Sequence, residues 1–380
     1  MRPSVSAGLL ALVLAVPVSG AIGAEGAASS VVEPVVAAPA DIAPDPLRRA
    51  ALVALPATYH VEVRFHVDAL ISGGRRIPIG RDVGFRGGAF AVAPGFVVTA
   101  RHLIAPTNDR LVEAALGTLA PAARPVRAVV SGPVRVTLTR ARTDSTDGAA
   151  DAPRDVAATV LDAGDPVTDL ALLRIGAASG PTLALDDSLT AGTSVAGIGF
   201  GSAAGPVPTL RLGTLSGQGA VRGAPEDRRL APIALAVEHG DSGGPVIDDR
   251  GHVRGVILRR ASGPTPPVMA SANALRRLLA AHDVAATESA ETTAFRDAMD
   301  AFWERRYALA SARLSALGER YPDAALVRLE SRRADALATG VYTLDGPSRI
   351  RGAVLATGAM AMLCLAILML IRMRRLPALD

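Results

Sequence analysis

The segment Gly240-Asp241-Ser242-Gly243-Gly244-Pro245 is the most informative stretch of the chain. A serine hydroxyl attacks a carbonyl group poorly at neutral pH unless a neighbouring base removes its proton. It also needs backbone N–H groups aimed at the oxyanion that the attack creates. Glycines on both sides of Ser242 permit a turn that projects the hydroxyl outward while the amides of Gly240 and Ser242 converge. The segment therefore predicts an oxyanion-binding turn around a nucleophilic serine.

Two segments upstream of this turn can supply the base and the acid that activate such a serine. His102 follows the apolar run Val97-Val98-Thr99-Ala100, and Asp169 stands immediately before the apolar run Leu170–Leu173. Asp165 is the rival for the acid, but it lies beside Pro166, where an exposed turn is expected. The remaining histidines show no metal-ligand spacing, so we expect no metal site and no cofactor. They are His60, His66, His239, His252 and His282.

These stretches together resemble trypsin-like serine proteases, and most closely the bacterial HtrA-type branch. The segments that carry the resemblance are Gly87-Gly88-Ala89-Phe90, Thr99-Ala100-Arg101-His102, Thr168-Asp169-Leu170-Ala171-Leu172-Leu173, Gly240–Pro245 and Gly251–Ile257. The resemblance implies a mainly β, chymotrypsin-like double β-barrel over residues 58–285. It also implies hydrolysis of peptide bonds by a serine endopeptidase. The resemblance implies that His102 is the general base, that Asp169 orients it and that Ser242 is the nucleophile. It also implies that the backbone amides of Gly240 and Ser242 form the oxyanion hole.

The chain departs from the HtrA-type pattern in three ways. The interval between His102 and Asp169 is longer than is common in that branch, and no PDZ-like domain follows the protease region. Asp241 stands where those enzymes commonly carry Asn, as it does in trypsin, where the carboxylate pairs with a new N-terminus after cleavage. We therefore expect Asp241 to pair with a cleaved N-terminus or an internal Arg, and the alternative is an ordinary hydrogen-bonded loop carboxylate.

Segment matching also predicts the walls of the primary substrate pocket. The residues expected there are Ala236 at the base, Leu258 on a wall and Arg260 near the entrance. Ala236 offers no carboxylate to a basic side chain. The pocket should therefore accept small or medium apolar side chains.

The two ends of the chain indicate export and anchoring in a membrane. Residues 1–24 have a basic start, a short apolar run and small residues near a cleavage site, which is typical of a signal peptide. Residues 352–371 carry no charge and are long enough to span a bilayer, while Arg372, Arg374 and Arg375 follow directly. The prediction is a single-pass bacterial membrane protein whose catalytic domain is extracytoplasmic, with a cytoplasmic tail over 372–380.

Between these ends the composition and the spacing of apolar residues change twice. Residues 25–57 are rich in Ala and Pro and are interpreted as a linker. Many short β-rich runs then follow, and Ser271 caps a predicted helix that closes the protease region. Residues 286–342 have helical spacing and contain a tetratricopeptide-like hairpin. This segment is interpreted as a spacer to the membrane or, alternatively, as a module that binds a protein partner.

Composition excludes several classes of function. The 380 residues include 40 basic ones, none of them Lys, yet the formal net charge is only +4, and aromatic residues make up 3% of the chain. Nucleic-acid binding is therefore not expected. The single cysteine, Cys364, excludes an intrachain disulfide framework. A lipase-type nucleophile elbow requires the chain order Ser, Asp, His, whereas the candidate residues here follow the order His, Asp, Ser. The remaining alternative is a catalytically silent scaffold of the trypsin-like fold.

Overall fold

The computed structural model of this chain describes most of the residues between the two ends. The described ranges are 31–34, 44–117, 126–142, 155–176, 180–201, 205–216, 230–258, 267–321 and 324–339. The expected signal peptide (1–24), transmembrane helix (352–371) and tail (372–380) lie outside these ranges. Within them, no helix combines the length and the apolar character that crossing a membrane requires.

The first half of the β structure is a closed antiparallel barrel of six strands. These strands are β2 (Thr58–Ser72), β3 (Arg75–Ala93), β4 (Phe96–Ala100), β5 (Val126–Arg140), β6 (Asp155–Asp162) and β7 (Leu170–Ile175). They follow one another around the barrel in the order β2-β3-β4-β7-β6-β5. Strand β2 shows the period-two pattern that places a strand in a barrel wall, because Val61, Val63 and Phe65 are buried while Glu62 and Arg64 are not.

The second half of the β structure is a second antiparallel ring of six strands. These are β8 (Ser194–Gly199), β9 (Thr209–Leu215), β10 (Leu230–Ala234), β11 (Pro245–Ile247), β12 (Val253–Leu258) and β13 (Val268–Ser271). The order is β9-β10-β13-β12-β11-β8, and β8 pairs back with β9 to close the ring. A short strand, β1 (Val31–Pro34), pairs with β9 as well. The predicted mainly β double barrel is therefore confirmed.

Three strands of the first barrel are longer than the sequence pattern predicts. Strands β2, β3 and β5 continue past the barrel as a three-stranded sheet. Helix α3 (Asn108–Leu116) packs on this extension, where the Asn108 side chain donates to the carbonyl of Val126 (2.7 Å) and accepts from the amide of Ala128 (2.9 Å). The long interval between His102 and Asp169 builds α3, β5 and β6.

The expected linker over residues 25–57 is partly a folded element. Residues Pro46–Ala54 form helix α1, and Leu55–Ala57 add a single 3₁₀ turn. Asp45 caps this helix by accepting from the amide of Arg48 (3.1 Å), and Pro46 occupies the first turn. Leu52 and Leu55 are buried, and α1 packs against β8. Ala50, Ala51 and Ala54 are buried as well, and their small side chains allow this close packing.

The predicted helices after the second barrel are all present. Helix α4 (Ala272–Ala280) is capped by Ser271, and it is followed by α5 (Ala290–Trp303), α6 (Tyr307–Arg320) and α7 (Ala325–Ala338). Helices α5, α6 and α7 pack on one another in chain order, while α5 also contacts α1. Phe295, Met299 and Phe302 belong to the same buried cluster as the core of the first barrel. The helical segment is therefore packed onto the double barrel.

Hydrogen bonds at the start of α5 connect these helices to the barrels. The Ser289 hydroxyl accepts from the amide of Thr292, which caps the helix, and also from the amide of Thr182 (both 3.2 Å). The Thr292 hydroxyl donates to the Thr182 carbonyl (2.9 Å), and the Thr182 hydroxyl donates to the carbonyl of Thr287 (2.6 Å). Thr182 and Thr292 are fully buried, so these bonds are shielded from water.

We expect Ser289→Ala to lower the free energy of unfolding by about 1–3 kcal/mol, because the helix loses its cap and the Thr182 amide loses its acceptor. Ser289→Thr, which keeps a hydroxyl, is the matched control and should lose much less. Urea denaturation followed by circular dichroism measures both variants. Equal stability of the alanine variant and the wild type would contradict the proposed connection.

Candidate active site

His102 and Asp169 lie together because the end of β4 is beside the start of its antiparallel partner β7. Strand β4 pairs with β7 so that Ala100 lies opposite Leu170, which brings the residues just beyond them to the same end of the barrel. His102 then lies in the short helix α2 (Arg101–Ile104). Its Nδ1 lies 2.7 Å from Asp169 Oδ2, and its backbone amide donates to Asp169 Oδ1 at 2.8 Å. The acid therefore holds both the ring and the backbone of the histidine.

The backbone at Asp169 is itself unusual. Its φ angle is 53°, in the left-handed region that Asp tolerates better than most residues. The Asp169 carbonyl accepts from the amide of Arg101 at 2.8 Å, and its own amide donates to the carbonyl of Asp165 at 3.1 Å. The carboxylate is thus directed at the imidazole by a turn whose two ends are both hydrogen-bonded.

Asp165, the rival acid, serves this turn instead of the imidazole. Its carboxylate accepts from the amides of Val167 (2.8 Å) and Thr168 (3.0 Å) and from the Thr168 hydroxyl (2.6 Å). Asp162 supports the same turn from its other side by accepting from the amide of Gly164 at 2.6 Å. The hydrogen bond from His282, followed by that amide, lowers the pKa of Asp162. Both carboxylates therefore hold the loop that presents Asp169.

The segment around Ser242 runs through a space too narrow for side chains. Gly240 and Gly243 have φ angles of 96° and 89°, which favour glycine. A Cβ on Gly240 would lie 1.7 Å from the carbonyl oxygen of Gly201, and one on Gly243 would lie 2.2 Å from that of Gly88. The Ser242 carbonyl accepts from the amide of Gly88 at 2.8 Å, so the segment is also bonded to the first barrel. Gly243 is therefore required by the contact with the first barrel, and Gly240 by the contact with the loop that follows β8.

One cleft between the two barrels collects most of the predicted site residues. It has a volume of about 430 Å³ and is lined by His102, Asp169, Gly240 and Ser242. Leu258, which was expected on a wall of the substrate pocket, also lines this cleft, as do Leu230 and Val268 of the second barrel. Ala236, the expected base, does not line this cleft. Arg260 lies outside the described residues.

Sequence reasoning missed the part of the cleft that the first barrel supplies. The first barrel lines the cleft with Phe85, Arg86, Thr107 and Arg110. His239, just before Gly240, also lines the cleft from the second barrel. Phe85 and Arg86 come directly before the Gly87-Gly88 pair, and Thr107 and Arg110 follow shortly after His102. Proximity to those two motifs was the signal that could have identified them.

Asp241 is held by an internal arginine, which was one of the predicted alternatives. Asp241 Oδ2 lies 3.0 Å from Nε of Arg211, and both side chains are fully buried. The same carboxylate accepts from the amides of Gly201 (2.9 Å) and Glu238 (2.8 Å). Arg211 also contacts the exposed Glu238 carboxylate at 3.1 Å. The pair therefore ties the loop before Ser242 to strand β9.

A second group of polar side chains could suggest a metal site. Ligand atoms of Asp186, Asp248 and His252 lie within 4.8 Å of one another. However, Arg254 contacts both carboxylates, Asp186 at 2.8 Å and Asp248 at 2.7 Å. Asp248 also accepts from the amides of Arg250 and His252. Because a guanidinium already contacts both carboxylates, we interpret the group as an ion-pair network that holds strand β12.

The buried pair predicts a strong effect on stability. Arg211→Met leaves the Asp241 carboxylate buried without a cation, so we expect a loss of about 3–5 kcal/mol in the free energy of unfolding. The double variant Arg211→Met/Asp241→Asn should recover part of that loss, because no charge is then left alone. Urea unfolding of the two single variants and the double variant measures the coupling.

Glu238→Gln is the matched control for this cycle, because Glu238 is the exposed partner of the same arginine. An exposed ion pair contributes about 0–1 kcal/mol, so this change should be small. A loss below about 1 kcal/mol in Arg211→Met, similar to that of the control, would show that the buried pair does not support the loop.

Comparison with known proteins agrees with this geometry. Residues 87–256 match the family model of a trypsin-like peptidase domain. A stretch of 100 residues is 37% identical to the uncharacterized protein y4bJ of Sinorhizobium fredii (strain NBRC 101917 / NGR234), which covers 25% of this chain and 15% of that protein. The chain therefore spans only a small part of that relative. The double barrel agrees with this family match, so residues 87–256 are similar to a trypsin-like peptidase domain in both sequence and fold.

Proposed function

We propose that this protein is a serine endopeptidase that hydrolyses peptide bonds of proteins through an acyl-enzyme. The observation that carries the proposal is the hydrogen bond between His102 Nδ1 and Asp169 Oδ2 (2.7 Å), in the cleft that Ser242 also lines. The family match over residues 87–256 supports the same class of reaction. From the resemblance of its three segments, we also propose that the protein is closest to the HtrA-type branch of these proteases.

The first half of the proposed reaction forms the acyl-enzyme. With Nδ1 donating to Asp169, the neutral His102 ring has its lone pair on Nε2, which accepts the proton of the Ser242 hydroxyl. Ser242 Oγ attacks the peptide carbonyl carbon, and the carbonyl oxygen becomes an oxyanion. The amides of Gly240 and Ser242 stabilise that oxyanion. The amides of Asp241, Gly243 and Gly244 donate to protein carbonyls, which excludes them from this role.

The second half releases the two products. When the tetrahedral intermediate collapses, His102 gives its proton to the leaving amine, and the carbon–nitrogen bond breaks. Water then attacks the ester while His102 accepts a proton from it, and this proton returns to Ser242 as the acid product leaves. Asp169 stays ionised throughout and stabilises the imidazolium. The scheme needs no metal and no cofactor.

The walls of the cleft support a preference at the cleaved position. Leu230, Leu258 and Val268 form an apolar wall on the second barrel, next to Gly240 and Ser242. A peptide side chain bound there meets hydrocarbon and no carboxylate from these three residues. We therefore propose small or medium apolar residues on the acyl side of the cleaved bond.

The buried Asp241–Arg211 pair bears on activation. In trypsin the corresponding carboxylate pairs with an N-terminus that cleavage creates. Here the guanidinium of Arg211 already lies 3.0 Å from Asp241 Oδ2. We propose that the loop before Ser242 is ordered without any such cleavage.

A fluorophosphonate probe tests the nucleophile. The purified wild-type protein should be labelled, and Ser242→Ala should lose essentially all labelling, because the probe reacts with an activated serine hydroxyl. Ser315→Ala, at an exposed serine on α6, is the matched control and should be labelled like the wild type. In-gel fluorescence measures all three.

Two results would overturn the assignment. Labelling that persists in Ser242→Ala would place the reactive group elsewhere. A folded wild type that neither reacts with the probe nor cleaves an unfolded protein substrate would favour the alternative, a catalytically silent scaffold that binds partners through residues 286–342.

We further propose that the protease is exported and held at the membrane by residues 352–371. The uncharged stretch and the arginines that follow it support a single span with a cytoplasmic tail, and residues 1–24 support export. This arrangement puts the proposed active site outside the cytoplasm of a bacterial cell.

Membrane fractionation in a bacterial host tests the anchor. The full chain should remain in the membrane pellet after a sodium carbonate wash, because a spanning helix resists extraction at high pH. A chain ending at Arg351 should appear in the soluble extracytoplasmic fraction, and full-length Ser242→Ala should stay in the pellet. Release of the full chain by carbonate would contradict the anchor.

A further inference from the structure

The two walls of the cleft differ in chemistry. The second barrel supplies the apolar wall of Leu230, Leu258 and Val268. The first barrel supplies Phe85 and Arg86 from β3 and Thr107 and Arg110 from the start of α3. Two guanidinium groups therefore line the same side of one substrate cleft.

The first-barrel wall borders the part of the cleft that receives the leaving group. In the proposed reaction His102 hands its proton to the leaving amine, and His102 and Leu103 belong to the first barrel through α2. Gly88, which donates to the Ser242 carbonyl at 2.8 Å, comes only two residues after Arg86. The peptide that follows the cleaved bond would thus run past Arg86 and Arg110.

The charge of this wall is only partly balanced. Glu62 is shared, because it contacts Arg64 at 3.0 Å and Arg86 at 3.5 Å. Arg110 lies 3.9 Å from Glu113, at the outer limit of an ion pair. The side chains of Arg86 and Arg110 are 54% and 46% exposed, so both can reach a ligand.

Glu62 and Glu113, the carboxylates that contact these arginines, do not themselves line the cleft. Among the described residues that line it, the acidic one is Asp169, which is bonded to His102. The leaving-group side of the cleft therefore has an excess of positive charge.

We propose that Arg86 and Arg110 select substrates with an acidic side chain within the first three residues after the cleaved bond. A guanidinium presents N–H groups in a planar fork that matches the two oxygens of a carboxylate. This inference rests on the proposed endopeptidase function and adds the substrate class to it. Asp and Glu in those positions fit the wall, while Lys and Arg are repelled.

The test uses internally quenched peptides with the same apolar acyl half. They differ only after the cleaved bond, where the second or third residue is Asp, its neutral isostere Asn, or Arg. For the wild type we expect kcat/KM to be about 5–20-fold higher with Asp than with Asn, as two half-exposed ion pairs would provide. Sodium chloride at about 0.5 M should reduce this ratio by screening.

Variants assign the effect to the two arginines. The Asp/Asn ratio of kcat/KM should fall towards one in Arg86→Gln/Arg110→Gln, and it should fall partway in each single variant. Arg64→Gln is the matched control, because Arg64 shares Glu62 with Arg86 but does not line the cleft. It should keep the wild-type ratio. The ratio compares two peptides on one enzyme, so it is independent of the fraction of active protein.

Two outcomes would overturn the inference. The first is a wild-type Asp/Asn ratio near one, and the second is a ratio that survives in the double variant. Both outcomes can be measured only if the enzyme cleaves at least the Asn peptide, because the ratio needs its kcat/KM. Failure to cleave any peptide together with failure of the fluorophosphonate labelling would instead refute the proposed function, so the two failures are distinguishable.

Discussion

The close approach of residues 240–244 to both barrels is the constraint on which the candidate site depends. A Cβ on Gly240, Gly243 or Gly244 would lie 1.7–2.2 Å from a backbone carbonyl oxygen of a neighbouring strand or loop. The one large side chain among them, Asp241, turns into the protein and is neutralised by Arg211. The segment is thus held by packing on one side and by a buried ion pair on the other, so Ser242 has little freedom to move.

The two barrels contribute different chemistry to the cleft. His102 and Asp169 come from the first barrel, where the pairing of β4 with β7 places them together. Ser242 belongs to the second barrel, just before β11, and its carbonyl is bonded to Gly88 of the first. A cleft that contains all three exists only when the barrels are packed. Any change that loosens the contact between them acts on the site as well as on stability.

The helical segment belongs to the same folded body. Helix α5 is capped by Ser289, which is bonded to Thr182 in the loop between the barrels. The buried aromatic residues of α5 belong to the same hydrophobic cluster as residues of both barrels. Arg49 of α1 lies over the ring of Trp303 at 5.0 Å, which adds a cation–π contact between α1 and α5. Residues on either side of the double barrel in sequence, α1 before it and α5 after it, therefore pack together against it.

Local sequence predicted the elements whose signals lie within a few residues. Alternation in Tyr59–Phe65 marked a barrel strand, and Ser271 marked the start of α4. It did not predict β11 and β13, which have three and four residues and are too short to show a period. Nor did it predict α1, whose alanines show their role only through burial against β8.

The sequence by itself determined the chemical groups of the candidate site, because the glycines around Ser242 and the apolar runs beside His102 and Asp169 are local requirements of the turns that present them. The sequence also favoured Asp169 over Asp165, and the tertiary structure decided how the two carboxylates point: Asp169 faces the imidazole, while Asp165 bonds the amides of its own turn. The tertiary structure also decided that Arg211 is the partner of Asp241, and that Arg86 and Arg110 share one wall. Those contacts join residues far apart in the chain, and only the packing of two closed barrels brings them within a few ångströms.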